Sequence, residues 1–299
     1  MRVISNSEVS AYLTCERKHY YSFILDLAPK VLSQSLARGL LGHEILASYY
    51  EAISAGSSEA TARKIAINIG EIQMLEAETD LTMIADLINL CKRYFDRHVR
   101  DLDSWEILGV EKSFTVPITD DYAYGMRLDL LVKIAAGQFL GEEVVIDHKF
   151  VYNFWNQDKV NLNSQIPKYI ATLRHHGYNV QRGMFNQIRW RDRKSAPYSD
   201  EEKFNRYPFR PAPQKIRRVF EEQIRAAERI IERYEDDPVR VGKQSLRVLN
   251  PVICDTCPFK FICDTDLNGD DTTLMMQTEF TTNQYNATYQ DMVFNDELA

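Results

Sequence analysis

Apolar residues recur at helical spacing through the first hundred positions. They predict an opening helix over residues 5–25, capped by Ser5 or Ser7, and a second helix over residues 36–53. Periodicity of the same kind continues without a strand signal at Ile65, Ile69, Ile72, Leu75, Ile84, Leu87, Ile88, Cys91 and Tyr94. We therefore interpret residues 44–100 as a helical insertion.

The pattern changes at Trp105. Three strand-like runs, residues 105–118, 122–134 and 138–150, are separated by TDD and AAG turns. A helix over 163–177, a strand over 179–190 and a strongly amphipathic helix over 214–236 follow. This order predicts an α/β protein with a mixed β-sheet core flanked by helices.

Composition and charge narrow the class. The 299 residues have the apolar and charged fractions of a soluble globular protein, and no apolar run approaches the roughly 18–20 residues of a membrane span. The opening MRVISNSEVS lacks the apolar core of a signal peptide, so we expect a cytoplasmic protein. Eight acidic residues and no Lys or Arg lie in residues 264–299, so the preceding 263 residues carry a formal charge of +1 against −7 for the chain. A DNA-binding body is therefore compatible with the charge.

Two acidic residues and a lysine interrupt the apolar strands. In VVIDHKF the strand period of two places Asp147 and Lys149 on one face, and Asp129 lies among leucines in the preceding run. Buried carboxylates need a partner, and two on neighbouring strands could jointly bind Mg²⁺ or Mn²⁺ for metal-assisted phosphodiester hydrolysis. The alternative is an ordinary ion pair on an edge strand, with Asp129 as a solvated turn neighbour.

Three cysteines lie within CDTCPFKFIC, as Cys254, Cys257 and Cys263. Disulfides rarely persist in a cytoplasmic protein, so this cluster indicates a metal site, and its spacing fits either zinc or an iron–sulfur cluster. Cys91, on the apolar face of its helix, is predicted to be a core residue.

The motifs GLLGHE, GMRLD, IDHK and QIPKY occur in this order along the chain. The series resembles the RecB-like branch of the PD-(D/E)xK nuclease superfamily, and the opening helix is similar too, although Glu16 stands where that branch usually has proline. The resemblance implies a restriction-endonuclease-like fold. It implies metal binding by His43, Asp129 and Asp147 with the His148 backbone carbonyl.

The same resemblance implies a catalytic role for Lys149, with Gln165 and Tyr169 holding the lysine region or a DNA phosphate. Members of the branch with an iron–sulfur cluster, including CRISPR-associated exonucleases and the AddB nuclease domain, use one cysteine before the nuclease motifs and three after them. By this match a structural [4Fe–4S] cluster, with zinc as the alternative, is expected on Cys15, Cys254, Cys257 and Cys263.

The resulting domain division places a nuclease core in residues 1–43 and 101–253 and the insertion in 44–100. The metal-cluster region is 254–263 with Cys15, and residues 264–299 form an acidic tail, expected to be disordered or loosely wrapped. The tail could compete with DNA for the basic surface or dock a partner.

Aromatic and basic residues after Lys149 are candidates for DNA contacts. Tyr152, Phe154 and Trp155 could stack on unpaired bases, or could pack in the core instead. The densest basic region is expected to line a phosphate track and comprises Arg182, Arg189, Arg191, Arg193, Lys194, Lys203, Arg206, Arg210, Lys215, Arg217 and Arg218.

The expected function is a metal-dependent DNA exonuclease that prefers single strands or DNA ends. One alternative is an endonuclease or end-trimming subunit of a recombination or CRISPR-adaptation complex. Another is a non-catalytic DNA-binding module. Since no G-x-x-x-x-G-K-[ST] helicase motif occurs, unwinding would need a partner such as a recombination or annealing protein.

Overall fold

The computed structural model describes residues 1–76 and 81–282, which divide into two compact units. The central unit comprises residues 33–112 and 127–219, and the terminal unit comprises 1–32, 113–126 and the chain from Phe220 onward. The largest of the sheets lies in the central unit.

The central unit is built on a mixed five-stranded sheet. Its helices are α3 (Gln34–Ser54), α4 (Glu59–Glu76), α5 (Leu81–His98), α6 (Gln157–Leu162), α7 (Gln165–His175) and α8 (Asp200–Lys203). Its strands are β3 (Trp105–Val110), β6 (Leu130–Ile134), β7 (Glu143–Val151), β8 (Val180–Arg189) and β9 (Phe204–Phe209). The strand order is β3-β6-β7-β8-β9, with β7 and β8 parallel and the other pairs antiparallel. The predicted α/β class, with a mixed sheet flanked by helices, is confirmed.

Helices cover both faces of this sheet. The apolar side chains of α3, α4 and α5 form one core with Val144, Ile146 and Ile188, so the predicted helical insertion packs on the sheet. On the opposite face, Gly183 of β8 lets Ile166 of α7 approach the backbone closely. Because β7 is covered on both sides, its sequence is nearly all apolar apart from the residues of the site.

The terminal unit contains shorter elements. Its strands are β1 (Arg2–Ser5), β2 (Leu27–Pro29), β4 (Ser113–Pro117), β5 (Tyr122–Arg127) and β10 (Phe280–Thr282). Its helices are α1 (Asn6–Thr14), α2 (Glu16–His19), α10 (Pro238–Lys243), α11 (Pro251–Asp255), α12 (Lys260–Leu267) and α13 (Thr273–Glu279), together with most of α9 (Pro213–Tyr234). The strands form a three-stranded sheet, β1-β5-β4, and the antiparallel pair β2–β10.

Two of the predicted strands are each divided into two. The run 105–118 forms β3 and β4, and the run 122–134 forms β5 and β6, which belong to different sheets. Glu111 causes the first break, because its φ of 47° is a left-handed conformation that a strand cannot contain. The predicted alternation was correct locally, but the prediction of continuous strands was wrong.

The opening helix is also interrupted. Ser5 caps α1 as predicted, by accepting a hydrogen bond from the Glu8 backbone N at 3.0 Å. Cys15 then adopts an extended conformation, with φ −167° and ψ 117°, and a turn of π-helix at Tyr20–Ile24 follows α2. The prediction of one continuous helix over 5–25 was therefore wrong at Cys15.

Burial confirms α5 more fully than α4. All five predicted positions of α5, from Ile84 to Tyr94, are buried. In α4, however, Ile65 and Ile72 are exposed, and the buried face is formed by Ala62, Ala66 and Ile67. Small residues allow close helix packing here, and of the predicted isoleucines Ile69 is partly buried against the core while Ile65 and Ile72 face outward.

Part of the acidic tail is regular structure. Residues 264–282 include the end of α12, all of α13 and β10, and Phe280 packs on Phe259 with ring centroids 5.5 Å apart. Disorder was therefore the wrong expectation for these residues, while residues 283–299 lie outside the described part of the chain. No helix within residues 1–76 and 81–282 is long and apolar enough to cross a membrane.

Candidate active site and cysteine site

The candidate active site lies at the exposed edge of β7 in the central unit. Strand β6 begins at Leu130, which pairs with Ile146, so β6 does not extend along the later residues of β7. There the Asp129 carboxylate accepts a hydrogen bond from the His148 backbone N at 2.7 Å. Asp129 therefore lies beside Asp147 and His148, where a paired strand would otherwise continue along β7.

Asp147 and Lys149 form a close pair on one face of β7. The Lys149 ammonium lies 2.9 Å from one Asp147 carboxylate oxygen and 2.7 Å from the other. Asp147 is fully buried and Lys149 is partly accessible, so this pair is not the surface ion pair of the alternative interpretation. The strand period of two is sufficient to bring the two side chains together.

His43 reaches the same edge from α3. Its Nδ1 lies 3.4 Å from an Asp129 carboxylate oxygen, and its ring donates a hydrogen bond to the His148 backbone carbonyl. Gly42 makes this approach possible, because a Cβ at that position would overlap the ring of Phe150. The residue before the histidine therefore needs to be glycine for a packing reason.

Glu111 joins Asp129, Asp147 and His43 at the site, and its place there was not predicted from the sequence. Ligand atoms of His43, Glu111 and Asp129 lie within 4.8 Å of one another, a spacing suitable for one cation. Arg127 holds the Glu111 carboxylate at 2.8 Å. Asp147 is not one of these three residues, and its carboxylate is paired with Lys149. The available signal was an acidic residue directly after the apolar run WEILGV.

Burial sets the protonation of these groups. It raises the pKa of Asp129, raises that of Asp147 to about 6 despite the nearby Lys149 charge, and with the Asp129 charge raises the pKa of Glu111 to about 7. Burial and the Lys149 charge lower the pKa of His43 to about 4, so its imidazole is neutral at pH 7. Burial opposes the Lys149 charge, but the two aspartates outweigh it and raise the lysine pKa.

These donors suit a hard divalent cation. Carboxylate and carbonyl oxygens with one neutral imidazole match the preferences of Mg²⁺ and Mn²⁺. Burial raises the pKa values of the Asp129, Asp147 and Glu111 carboxyls, so a bound cation would stabilise their ionised forms. The donor set therefore fits the metal that the sequence motifs imply.

Gln165 and Tyr169 occupy one face of α7, as their spacing predicted. The Gln165 side-chain N donates to the Tyr169 hydroxyl at 2.7 Å, and Tyr169 is buried. Burial and the charges of Asp147 and Asp129 raise the pKa of Tyr169, so its hydroxyl stays protonated beside the carboxylates. The pair forms the wall of the site on the α7 side of the sheet.

The His148 side chain points to the opposite face, away from Asp147. Its Nδ1 accepts from the Asn186 side-chain N at 2.7 Å, and its ring stacks on Tyr50 at 5.8 Å. Asn186 also donates to the Tyr94 hydroxyl, at 2.8 Å. His148 can therefore serve the site only through its backbone, as the family resemblance implied.

The predicted stacking residues separate in the structure. Trp155 is half-buried against Phe185, with ring centroids 5.3 Å apart, and its backbone N donates to Gln187. Phe154 lies beneath Arg189, whereas Tyr152 is exposed. Trp155 therefore packs against the core, whereas Tyr152 presents an exposed aromatic ring.

The predicted basic track is not one surface. Lys203 is buried and bonds the Arg191 carbonyl, while Arg206 is largely buried against Asp101 at 2.6 Å. Arg182 lies at the start of β8, paired with Glu142, far along the strand from Arg189. These three cations have structural partners, so their assignment to a continuous phosphate track was wrong.

The terminal unit brings the four predicted cysteine ligands to one cavity. Cys15, Cys254, Cys257 and Cys263 all line a space of about 580 Å³. The break in the opening helix places Cys15 there, while Cys254 lies in α11, Cys263 in α12 and Cys257 in the turn between these two helices. Cys91 lies apart, fully buried in the core of the central unit, as predicted.

Basic groups accompany these thiols. Arg17, Lys18 and Arg247 line the same cavity, and the Arg247 guanidinium donates to the Cys263 sulfur. Burial raises the pKa values of Cys257 and Cys263, so their thiolate forms need a cation or metal. The donor set fits a thiolate-bound metal centre.

The sequence model of the PD-(D/E)XK nuclease superfamily matches residues 3–264. The chain belongs to this superfamily. Membership supports nuclease activity that uses a divalent metal ion and acts on DNA, and the site described above lies within the matched region. A search of curated proteins gave no significant match.

Two solved structures resemble this PD-(D/E)XK chain at low identity. One is a protein named "Putative exonuclease" from Eubacterium rectale, 12% identical, with a TM-score of 0.45 over 85% of this chain and 88% of that one. The other is SSO0001, 14% identical, with a TM-score of 0.33 over 66% and 74%.

Proposed function

We propose that this PD-(D/E)XK protein is a divalent-metal-dependent DNA exonuclease that acts on single strands or DNA ends. The observation that carries the proposal is the convergence of Asp129, Asp147, Lys149 and His43 at the edge of β7. One buried and one partly buried carboxylate, a neutral imidazole and one ammonium group are the parts that metal-assisted phosphodiester hydrolysis requires.

His43, Asp129, Asp147 and the His148 carbonyl would hold the cation, with Glu111 as a further donor. When bound, Mg²⁺ or Mn²⁺ supplies Lewis-acid stabilisation of the phosphate and a lower pKa for a bound water. Lys149, fixed by Asp147, places positive charge where charge develops on the phosphate oxygens. Tyr169, oriented by Gln165, keeps a neutral hydroxyl beside the carboxylates.

Substitution at the pair tests the proposal. Asp147→Ala and Lys149→Ala should each reduce Mg²⁺-dependent nucleotide release by at least roughly 100-fold, since each removes charge stabilisation of the transition state. Glu142→Ala removes a carboxylate from an ion pair at the other end of the sheet and should retain activity. Normal degradation by both site variants would refute the assignment.

The shape of the DNA separates exonuclease from endonuclease action. A strict exonuclease leaves circular single strands intact and degrades linear ones, so a time course on both is the direct measurement. Absence of any Mg²⁺-dependent product would instead favour a DNA-binding module without turnover.

We further infer that the four terminal-unit cysteines hold a structural [4Fe–4S] cluster. Tetrahedral zinc, at about 2.3 Å from each sulfur, needs sulfurs about 3.8 Å apart. Within residues 1–76 and 81–282, no three cysteine sulfurs lie within 4.8 Å of one another, so the thiols would have to move closer to bind zinc. Support for the cluster comes from the family resemblance and from the cavity that the four cysteines share. Anaerobic purification, visible absorption and iron and zinc analysis decide between the two. Stoichiometric zinc without iron would refute the cluster.

A further inference from the structure

An exposed aromatic ring lies just beyond the candidate catalytic lysine. Tyr152 follows the last residue of β7 and is 52% exposed, although it is a large, mostly apolar side chain. It lies three residues after Lys149, roughly 10 Å along an extended chain. That distance corresponds to about three nucleotides at the 3.4 Å rise of a stacked strand.

Neighbouring side chains hold the Tyr152 ring in position. The Arg191 guanidinium lies over the Tyr152 ring, 4.3 Å from its centroid, and Trp190 meets the ring at 5.1 Å in a T-shaped contact. Arg191 is itself fixed, since it donates to the Tyr152 carbonyl at 3.1 Å and to Asn153 at 2.6 Å. An exposed ring held by this many contacts has little conformational freedom left to lose on binding.

Its surroundings carry positive charge. Arg189 lies over the Phe154 ring at 4.0 Å, and Arg38 lies over Trp190 at 4.0 Å. All of these residues belong to the central unit, which also holds the candidate active site. Guanidinium groups around an open aromatic face are the combination that binds an unpaired strand, through phosphates and base stacking.

We propose that Tyr152, held by Arg191, is a stacking platform for an unpaired DNA base within about three nucleotides of the scissile phosphate. Bases in a duplex interior have their faces covered, so the platform selects unpaired strands. The inference rests on the proposed nuclease function, since that function supplies the phosphate position from which the distance is counted.

The test is a double-mutant-type cycle, in which the Tyr152 ring and one DNA base are removed separately and together. Binding of a fluorescent 12-nucleotide strand is measured by anisotropy without Mg²⁺, with one abasic position moved along the strand. For the wild-type chain, one abasic position should weaken binding roughly ten-fold. Tyr152→Ala should weaken binding of the intact strand by a similar factor and should remove the abasic effect.

Matched variants show whether the effect is stacking. Tyr152→Phe keeps the ring and should retain both the affinity and the abasic effect. Phe139→Ala removes the ring beneath Arg182 at the far end of β8 and should leave binding unchanged. Equal losses for Tyr152→Ala on intact and abasic strands, or no loss at all, would overturn the proposal.

The binding measurement tests the stacking platform and the cleavage measurement tests the nuclease function, so each proposal can fail without the other. If the cycle shows coupling but Mg²⁺ produces no cleavage, the platform stands and the nuclease function is wrong. If cleavage occurs without coupling at any abasic position, the nuclease function stands and the platform is wrong.

Discussion

Asp147 is a buried carboxylate and Glu111 a partly buried one, and their pKa values are raised to about 6 and about 7. Each exists partly as the neutral acid near physiological pH when no cation is bound. A divalent cation requires the ionised form, so protons and metal compete for the same oxygens. The candidate site therefore couples metal affinity to pH.

We predict that Mg²⁺ binding releases protons below pH 7 and that apparent affinity falls as pH decreases. Below about pH 6 the fall should approach ten-fold per pH unit for each proton displaced. Calorimetry in two buffers of different ionisation enthalpy measures the released protons. Glu111→Gln should remove the step near pH 7 and keep the one near pH 6.

The same pKa values have a consequence for stability. A carboxyl whose folded pKa lies above its unfolded value stabilises the fold at low pH, and that contribution is lost as pH rises through the folded pKa. Histidines with lowered pKa values, such as His43, act in the opposite direction, so the carboxyl effect is measured by comparison with Glu111→Gln. Between pH 5.5 and pH 8 the melting temperature of the metal-free wild type should change less favourably than that of the variant, and Mg²⁺ should raise the wild-type melting temperature at pH 8. A melting temperature independent of Mg²⁺ at pH 8 would contradict cation binding by these carboxylates.

At the scale of one element, α3 carries two glycines with opposite roles. A Cβ at Gly42 would overlap the Phe150 ring, whereas a Cβ at Gly39 would meet no atom within 4 Å. Phe150 follows Lys149 directly and also contacts the His43 ring at 5.9 Å. Gly42 is therefore the position at which α3 packs closely against β7, next to the candidate catalytic residues.

Alanine substitution separates these roles. We predict that Gly42→Ala destabilises the protein by about 1–3 kcal/mol through overpacking and lowers nuclease activity by displacing Phe150 and His43. Gly39→Ala should stabilise it by up to about 1 kcal/mol, because alanine favours an exposed helix interior. Thermal melts and activity of the two variants provide the measurement, and similar behaviour of both would exclude the packing explanation.

The sequence predicted the elements that periodicity and local chemistry specify. The shared face of Asp147 and Lys149 follows from the strand period, and Ser5 caps its helix as expected. Strand β9 was missed, because Pro208 discourages a strand assignment although an edge strand tolerates it. Such positions depend on tertiary neighbours that the local pattern does not contain.

Glu111 illustrates the same limit at the site. Its left-handed backbone divides a strand-like run, and this break brings its carboxylate to His43 and Asp129. Likewise, Lys203 and Arg206 are basic in sequence but buried with partners, which no charge count reveals. The motif residues were predictable because their spacing defines them, and the supporting residues were not.

At the scale of the whole molecule, the terminal unit consists of three separate chain segments. The cysteine site draws its ligands from the first and the last of these, from Cys15 and from residues 254–263. A bound metal centre therefore closes a loop of about 240 residues in the unfolded chain. Its main effect should be on the stability of the terminal unit, since the candidate catalytic groups all lie in the central unit.

We predict that Cys254→Ser removes the metal and destabilises the terminal unit by about 2–5 kcal/mol, the range for losing a native cross-link. Hydrogen exchange should quicken in residues 1–25 and 246–267, while Mg²⁺ binding at the central unit should persist. Cys91→Ala is the matched control: it deletes a buried thiol, should cost only about 1 kcal/mol, and should leave the metal content unchanged. If Cys254→Ser keeps its metal and its exchange protection, these cysteines do not cross-link the two chain segments through a metal. If both variants lose metal equally, the loss reflects general instability, because Cys91 lies outside the cavity.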